Sequence, residues 1–492
     1  MLEHLHPAGA AQGASEVILL SGKFDSWPVQ TWISGTGVTL VCETNRGQVR
    51  FEVAQDAAVG PRLVRVYNVE GCSEPRFFVV GGGRERREIE PNDRFSAAQG
   101  VEECPVTFNG RLDKNGDVDS YRVRLAAGEA LEARLDAFVL MSKVDAVLRL
   151  VDEQGRQLAW NHDAQAFDPV LRWRATEERS VIVQVFGFKY PADASIQLTG
   201  GEGCVYRLHL ATSASGEDPL TQWAGPREVE PNDAAADTPM ALPLTVVGEI
   251  APAGDIDRYP VQLEAGDSLD LGLMAAGLGS PLDAWIALED GAGKERWRVD
   301  DGEGTRDPVG NWKAPESGRF VVVVGSVTRQ GGEAYRYRLS VSRGVPRVEA
   351  SLSVSTLVLG AGATNELKVQ WKRWHGHTNA AYLEVRDLPE GVTAPPVAAP
   401  AGDGEVVVKL VATAEAAAAS GPVRVVCRET TAGPATEIPV PVVLVSRGEN
   451  NGVPQGYSRL LIERWNDVWL TVTNATTSSN VVAATAAAAA TK

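Results

Sequence analysis

Short apolar runs recur along the whole chain, set between clusters of glycine, proline, asparagine and aspartate. The first 83 residues carry Val17-Ile18-Leu19-Leu20, Val38-Thr39-Leu40-Val41, Val49-Arg50-Phe51-Glu52-Val53, Leu63-Val64-Arg65-Val66-Tyr67 and Phe77-Phe78-Val79-Val80. The alternation along Val49-Arg50-Phe51-Glu52-Val53 and Leu367-Lys368-Val369-Gln370-Trp371 predicts half-buried strands. Phe320-Val321-Val322-Val323-Val324 and Glu405-Val406-Val407-Val408 read as more fully buried ones. The pattern predicts an all-β chain of tandem β-sandwich domains. No run approaches the roughly 20 apolar residues of a membrane-spanning helix.

The pattern is also written twice. Glu88-Ile89-Glu90-Pro91-Asn92-Asp93 returns as Glu228-Val229-Glu230-Pro231-Asn232-Asp233. Asp117-Val118-Asp119-Ser120-Tyr121 returns as Asp255-Ile256-Asp257-Arg258-Tyr259, and Asp145-Ala146 as Asp283-Ala284. Asp168-Pro169 matches Asp307-Pro308, and Tyr206-Arg207-Leu208 matches Tyr337-Arg338-Leu339 as a last core strand. A period this long is a duplicated domain rather than a solenoid unit of about 20–50 residues. The duplicated units fall at 88–215 and 228–343. They resemble the bacterial pre-peptidase C-terminal domain, a small jelly-roll-like β-sandwich found on secreted proteases and surface proteins.

Residues 1–83 form a unit that resembles the IPT/TIG immunoglobulin-like domain, through Pro7-Ala8-Gly9, Leu20-Ser21-Gly22-Lys23-Phe24 and 58–68. Gly81-Gly82-Gly83-Arg84-Glu85-Arg86-Arg87 reads as a flexible charged linker, and 213–225 as a second linker. Residues 345–446 resemble an immunoglobulin-like module through Asp387-Leu388-Pro389-Glu390-Gly391-Val392. Residues 447–492 read as an irregular extension, in which Leu460-Leu461-Ile462 and Val468-Trp469-Leu470-Thr471-Val472 could form a hairpin. Beyond Thr473 the chain is rich in Ala, Thr and Ser, a composition that predicts disorder.

The net charge of −17, from 47 basic and 64 acidic residues, argues against nucleic acid as a partner. It suits divalent cations. The resemblance implies that the duplicated domains bind calcium at their opening segment, at about two sites in the chain. Calcium takes six to eight oxygens in a flexible shell. Glu88, Glu90, Asn92 and Asp93 offer side-chain oxygens within six residues. On an extended segment Glu88, Glu90 and Asn92 face one way, and Pro91 favours that conformation at Glu90. Asp117 and Asp119 would close the shell from a neighbouring loop. The second site would use Glu228, Glu230, Asn232, Asp233, Asp255 and Asp257. The other reading of the same residues is a solvated acidic segment with Asp/Asn turn caps. Asp113-Lys114-Asn115-Gly116-Asp117 is not an EF-hand, since Val118 stands where that loop needs glycine.

Other motifs carry less. Asp163, Asp168, Asp301 and Asp307 read as turn residues, and Tyr121 and Tyr259 as core aromatics with a polar tip. Trp371-Lys372-Arg373-Trp374-His375-Gly376-His377 offers two histidines that could share a strand face, an exposed loop with core tryptophans, or an aromatic-basic patch for a carbohydrate or peptide. The five cysteines lack C-x-x-C spacing, which disfavours zinc. Pairs Cys42–Cys72 and Cys104–Cys204 or five thiols are both open. No H-E-x-x-H, G-x-S-x-G or P-loop occurs, so no catalytic residue is assigned and an enzyme is not expected.

The start, Met1-Leu2-Glu3-His4-Leu5-His6, has no features of an export signal. An extracytoplasmic location, periplasmic, cell-surface or secreted, is what the family resemblance implies. The expected function is that of a non-catalytic, modular surface or adhesion-type protein, with a protein or cell-wall polysaccharide as partner and no membrane span. The second expectation is an accessory region of a secreted protease or other hydrolase.

Overall fold

The computed structural model describes residues 2–162, 164, 167–190, 192, 194, 196–213, 225–234, 237–276, 280–302, 305–430, 436–443, 460–462 and 464–474. Asp163, most of the second linker and the low-complexity end beyond 474 lie outside the described residues. Among the described residues there is no α-helix; strands dominate and form eight sheets, two to a domain. The chain is therefore a tandem β-sandwich protein, as the alternating and β-branched runs predict.

In the first domain the sheet Leu2–His6, Ser15–Gly22, Gln48–Val53, Val38–Cys42 faces the sheet Gly9–Ala11, Arg76–Gly81, Gly60–Tyr67, Gln30–Ile33. Leu2, Ile18, Val49, Phe51, Val64, Phe78 and Val80 fill the space between them. The two repeats share one topology. In the first, one sheet contains Asp119–Leu125, Arg179–Lys189, Val144–Asp152, Gln157–Asn161 in that order, and the other Val170–Arg174, Ala130–Asp136, Val205–Ser213, Val106–Arg111. In the second, the same orders are Ile256–Leu263, Gly318–Ser326, Ala284–Glu289, Glu295–Val299 and Val309–Lys313, Ser268–Met274, Arg336–Arg343, Leu244–Glu249. Eight strands thus recur in identical pairing, which is the structural imprint of the duplication.

Two expectations change. The segment 81–87 is not a free linker. Gly81 ends a strand, and Glu85–Arg87 adds to the first repeat in parallel with Val106–Arg111. Its anchor is Glu85, whose carboxylate meets the Arg207 guanidinium with both side chains almost wholly buried, and which also accepts from Asn109 Nδ2 at 2.6 Å. A buried pair that satisfies its remaining hydrogen bonds in this way holds a segment in register.

The fourth domain also reaches further than residue 446. Asp467–Thr473 lies between Thr356–Gly360 and Ala419–Thr430, within the sheet. It is an inner strand and not half of a hairpin in an extension. Its run of consecutive apolar residues reflects burial on both faces. Val468, Leu470 and Val472 enter the domain core, while Trp469 packs on Trp32 and Tyr67 of the first domain at ring-centroid distances of 5.5 and 4.8 Å.

The domains consequently pack together. Ala8, Leu63 and Phe77 of the first domain and Leu140 of the second join the apolar cluster of the fourth. The five cysteines are all free thiols, so neither candidate disulfide forms. Burial pushes the Cys72 thiol up to about 11 and that of Cys427 to about 12, which leaves both protonated and unreactive at neutral pH.

Candidate metal centres in the duplicated domains

The opening segment of each repeat leaves the sandwich as a bend, with no strand over 88–93. The expected extended segment is absent because Glu90 folds back on its own backbone, its Oε2 accepting from Asn92 N–H at 2.9 Å. Glu230 does the same with Asn232 N–H at 2.8 Å. Such local side-chain bonds compete with extended structure. Both Glu–Pro peptide bonds are cis.

Beneath the bend comes the D-x-D-x-Y strand start. Asp117 Oδ2 accepts from Asp113 N–H at 2.5 Å, and Asp255 Oδ2 from Ala251 N–H at 2.8 Å. The two tight turns therefore match although their sequences differ, with Gly116 and Gly254 at φ 88° and 87° in each. Asp119 and Asp257, two residues on, are wholly buried. In the first repeat Glu90, Asp117 and Asp119 converge, each offering an oxygen within 4.8 Å of the others. In the second the converging group is Glu228, Glu230 and Asp257.

Glu88 is placed differently from the other candidate ligands. Its Oε2 accepts from Arg111 N–H at 2.9 Å and lies 3.0 Å from the Tyr206 hydroxyl. Glu228 is bonded likewise by Glu249 N–H and by Tyr259 at 2.8 Å. Asp93 lies 3.8 Å from the Lys114 amine, which is also 3.9 Å from Asp117. The Asp233 backbone carbonyl accepts from Arg258 at 2.6 Å. The second repeat has Pro252 in place of Lys114, so the ammonium that this position brings to the first centre has no counterpart there.

The floor of each centre is a tyrosine pair that sequence reasoning placed in the core without a role. Tyr206 donates to Asp119 Oδ2 at 2.5 Å and shares a 2.7 Å bond with Tyr121. Tyr337 bonds Asp257, and lies 2.6 Å from the Tyr259 hydroxyl. A side chain at Gly110 would overlap both the Tyr206 ring and Glu88 Oε2, and one at Gly248 would overlap Tyr337 and Glu228. Glycine is required there for close approach. The doubling of both residues was a signal that could have marked them.

These bonds leave a residue of unmet demand. Asn92, wholly buried, has no hydrogen-bond partner for either side-chain amide atom; Asp119 Oδ1 has none either, and Asp117 Oδ1 has only the Lys114 amine 3.9 Å away. In the second repeat Asn232 Oδ1 and Asp257 Oδ1 are likewise unpartnered. Asn232 Nδ2 donates to Glu228 Oε2 at 3.0 Å, which fixes the amide so that its oxygen is the unpartnered atom. A buried polar atom without a partner costs about 1–3 kcal/mol, and here such atoms recur at equivalent places.

Burial raises the carboxyls concerned. Asp119 is pushed up strongly, by burial first and the Glu88 charge second. Burial also raises Asp117, Glu88, Glu228 and Asp255, and takes Asp257 to about 8. Oxygen-only donors of this kind fit a hard divalent cation and not a thiolate- or imidazole-seeking one.

The remaining candidates resolve into structural roles. Asp168 accepts from the N–H groups of Ala137, Phe138 and Val139 at 2.8–3.0 Å, and Asp307 from those of Ala275 and Ala276 at 2.9 and 2.8 Å. His375 and His377 do not share a ligand. His375 Nε2 is 2.8 Å from Asp270, whereas His377 Nε2 is 2.9 Å from Glu429.

No family model matches the chain, and no curated protein does. Among solved structures it is similar to the fibronectin(III)-like modules of Clostridium thermocellum CbhA, at 9% identity over 44% of this chain and 90% of that one, with TM-score 0.15. It is also similar to domains 1–6 of the surface layer protein SbsC, at 12% identity over 90% of this chain and 55% of that one, with TM-score 0.14. The N-terminal eight Ig domains of Down Syndrome Cell Adhesion Molecule align at 12% identity over 89% of this chain and 54% of that one, with TM-score 0.14. The chain spans about half the length of the last two. Among the described residues no helix is long and apolar enough to cross a membrane.

Proposed function

We propose that this is a non-catalytic, modular binding protein of the extracytoplasmic space, whose two duplicated domains each hold one calcium ion. One observation carries the calcium reading: buried, unpartnered carboxylate and amide oxygens recur at equivalent positions of both repeats. Glu90, Asn92, Asp117 and Asp119 would hold the first ion, and Glu228, Glu230, Asn232 and Asp257 the second. Calcium would supply the missing partner of each oxygen and cancel the repulsion among the carboxylates. It would thereby tie the opening bend to the D-x-D-x-Y strand.

The carboxyls must release protons before they can bind, so affinity rises with pH. Calorimetric titration of the full chain with calcium is expected to give about two sites, with Asp119→Ala and Asp257→Ala each removing one. Absence of any calcium-dependent heat together with an unchanged melting temperature rules the reading out, because a ligand bound to the folded state must stabilise it.

A further inference from the structure

The third and fourth domains meet across a crevice of about 480 Å³, a volume in the range of small-molecule sites. One wall is the outer face of the sheet in the second repeat. Register sets Ser268 opposite Lys313, and Asp270 opposite Asn311, on that face. The other wall is the run Lys372, Arg373, Trp374, His375 and Gly376.

The charge of this lining runs against the rest of the molecule. The chain has 64 acidic residues and a net charge of −17, yet the crevice is lined by Lys313, Lys372 and Arg373 and by no carboxylate. The acids beside it are already engaged: Asp270 by Arg347 at 2.9 Å and His375 at 2.8 Å, Asp267 by Arg343, Glu349 by Trp374 Nε1–H and Asp403 by Arg373 N–H. The two bonds to Asp270 also join the domains, so the crevice is formed in advance.

Two of these cations are held by neighbouring groups. The Lys372 amine lies 3.7 Å from the centre of the Trp374 ring, a geometry in which the indole face attracts the ammonium. Trp374 is fixed in turn by its Nε1–H, which donates to Glu349 at 2.9 Å. Arg373 donates to the carbonyls of Pro400 and Asn379 at 3.0 and 2.9 Å. Lys313 is exposed and extends from the opposite wall.

We propose that this crevice binds a carboxylate-bearing saccharide, such as a uronic-acid segment of a polysaccharide. Lys372, held over Trp374, and Lys313 from the opposite wall meet the carboxylates. Ser268 and Asn311 supply the hydroxyl and amide groups that bond sugar hydroxyls. The half-buried Trp374 indole beside Lys372 adds apolar surface for a sugar ring, whereas Trp312 turns inward onto Phe320. The site is separate from the calcium centres and does not depend on them.

The test is a calorimetric titration of the full chain with oligogalacturonate in chelator, so that calcium bridging contributes nothing. Saturable binding that weakens about tenfold or more in the Lys313→Glu/Lys372→Glu variant, and is unchanged in Lys294→Glu, supports the assignment. Both target lysines are exposed, and an unchanged melting temperature of the double variant checks that its fold is kept. A neutral cello-oligosaccharide should bind far more weakly. No saturable binding, or equal affinity in the double variant, overturns it. Tight binding of a poly-glutamate peptide without binding of oligogalacturonate overturns the saccharide assignment in favour of an acidic peptide.

Discussion

A carboxyl sealed from water holds its proton longer, and the duplicated domains seal several at matching places. Asp117, Asp119 and Asp257 are wholly buried, and burial raises all three. The sign of the consequence follows from linkage. In the unfolded chain these groups titrate near pH 4. Folding raises them, so without metal their contribution to stability is complete below about pH 4 and is lost as pH rises through the folded values, about 8 for Asp257. Calcium displaces the protons, so its affinity climbs over the same window. In chelator the melting temperature should therefore fall between about pH 5 and pH 8.5, and saturating calcium should flatten or reverse the fall. Thermal melts across that range with and without calcium check this; parallel curves would contradict it. At this scale the sequence was partly legible. The doubled acidic residues pointed to the centres, but not to Tyr206, Tyr337, Gly110 or Gly248. These act through contacts made across the sandwich, such as that between Glu88 and Tyr206, and a local motif cannot register them.

Elements were easiest to read where one face is wet. Val49–Val53 alternates because every second side chain leaves the core, and Gln48–Val53 is a strand in the structure. Asp467–Thr473 was misread for the opposite reason: both of its faces are covered, so its apolar run shows no period and looks like part of a tail. The structure makes a definite prediction of it. Ending the chain after Asn466 removes a strand that pairs with Thr356–Gly360 on one side and Ala419–Thr430 on the other. It also withdraws Val468, Leu470 and Val472 from the core. Each buried aliphatic side chain is worth about 1.5–3 kcal/mol, so the loss approaches the whole stability of a domain, about 5–15 kcal/mol. Limited proteolysis of the truncated chain should digest 345–443 rapidly while leaving the first repeat protected. Survival of the fourth domain in that chain would show the strand to be dispensable.

The whole molecule is held by contacts that no linear reading brings together. Arg65 and Ser355 stand 290 residues apart, yet the buried Arg65 guanidinium donates to Ser355 O at 3.2 Å and to Ser73 O at 2.7 Å. Ser355 Oγ in turn donates to Glu74 at 2.5 Å, and the Arg65 cation lies 5.9 Å from the Trp469 ring. The first domain is thus clamped to the fourth, which also meets the second through Leu461 N–H donating to Val139 O at 2.8 Å and the third through Asp270. A string of four independent sandwiches, the picture that domain-by-domain reading suggests, would unfold domain by domain. A clamped one unfolds with its neighbours coupled. Arg65→Ala takes the guanidinium donor from Ser73 O, at about 1–3 kcal/mol, while Ser355 O keeps the Trp469 N–H at 2.9 Å; it also removes the charge that faces Trp469. Scanning calorimetry of the variant should show a first-domain transition split from the rest and shifted down, while calcium binding by the repeats is retained. If heating curves of the native chain and of Arg65→Ala superimpose, the first and fourth domains are not energetically coupled, and the packing at Trp469 is contact without consequence.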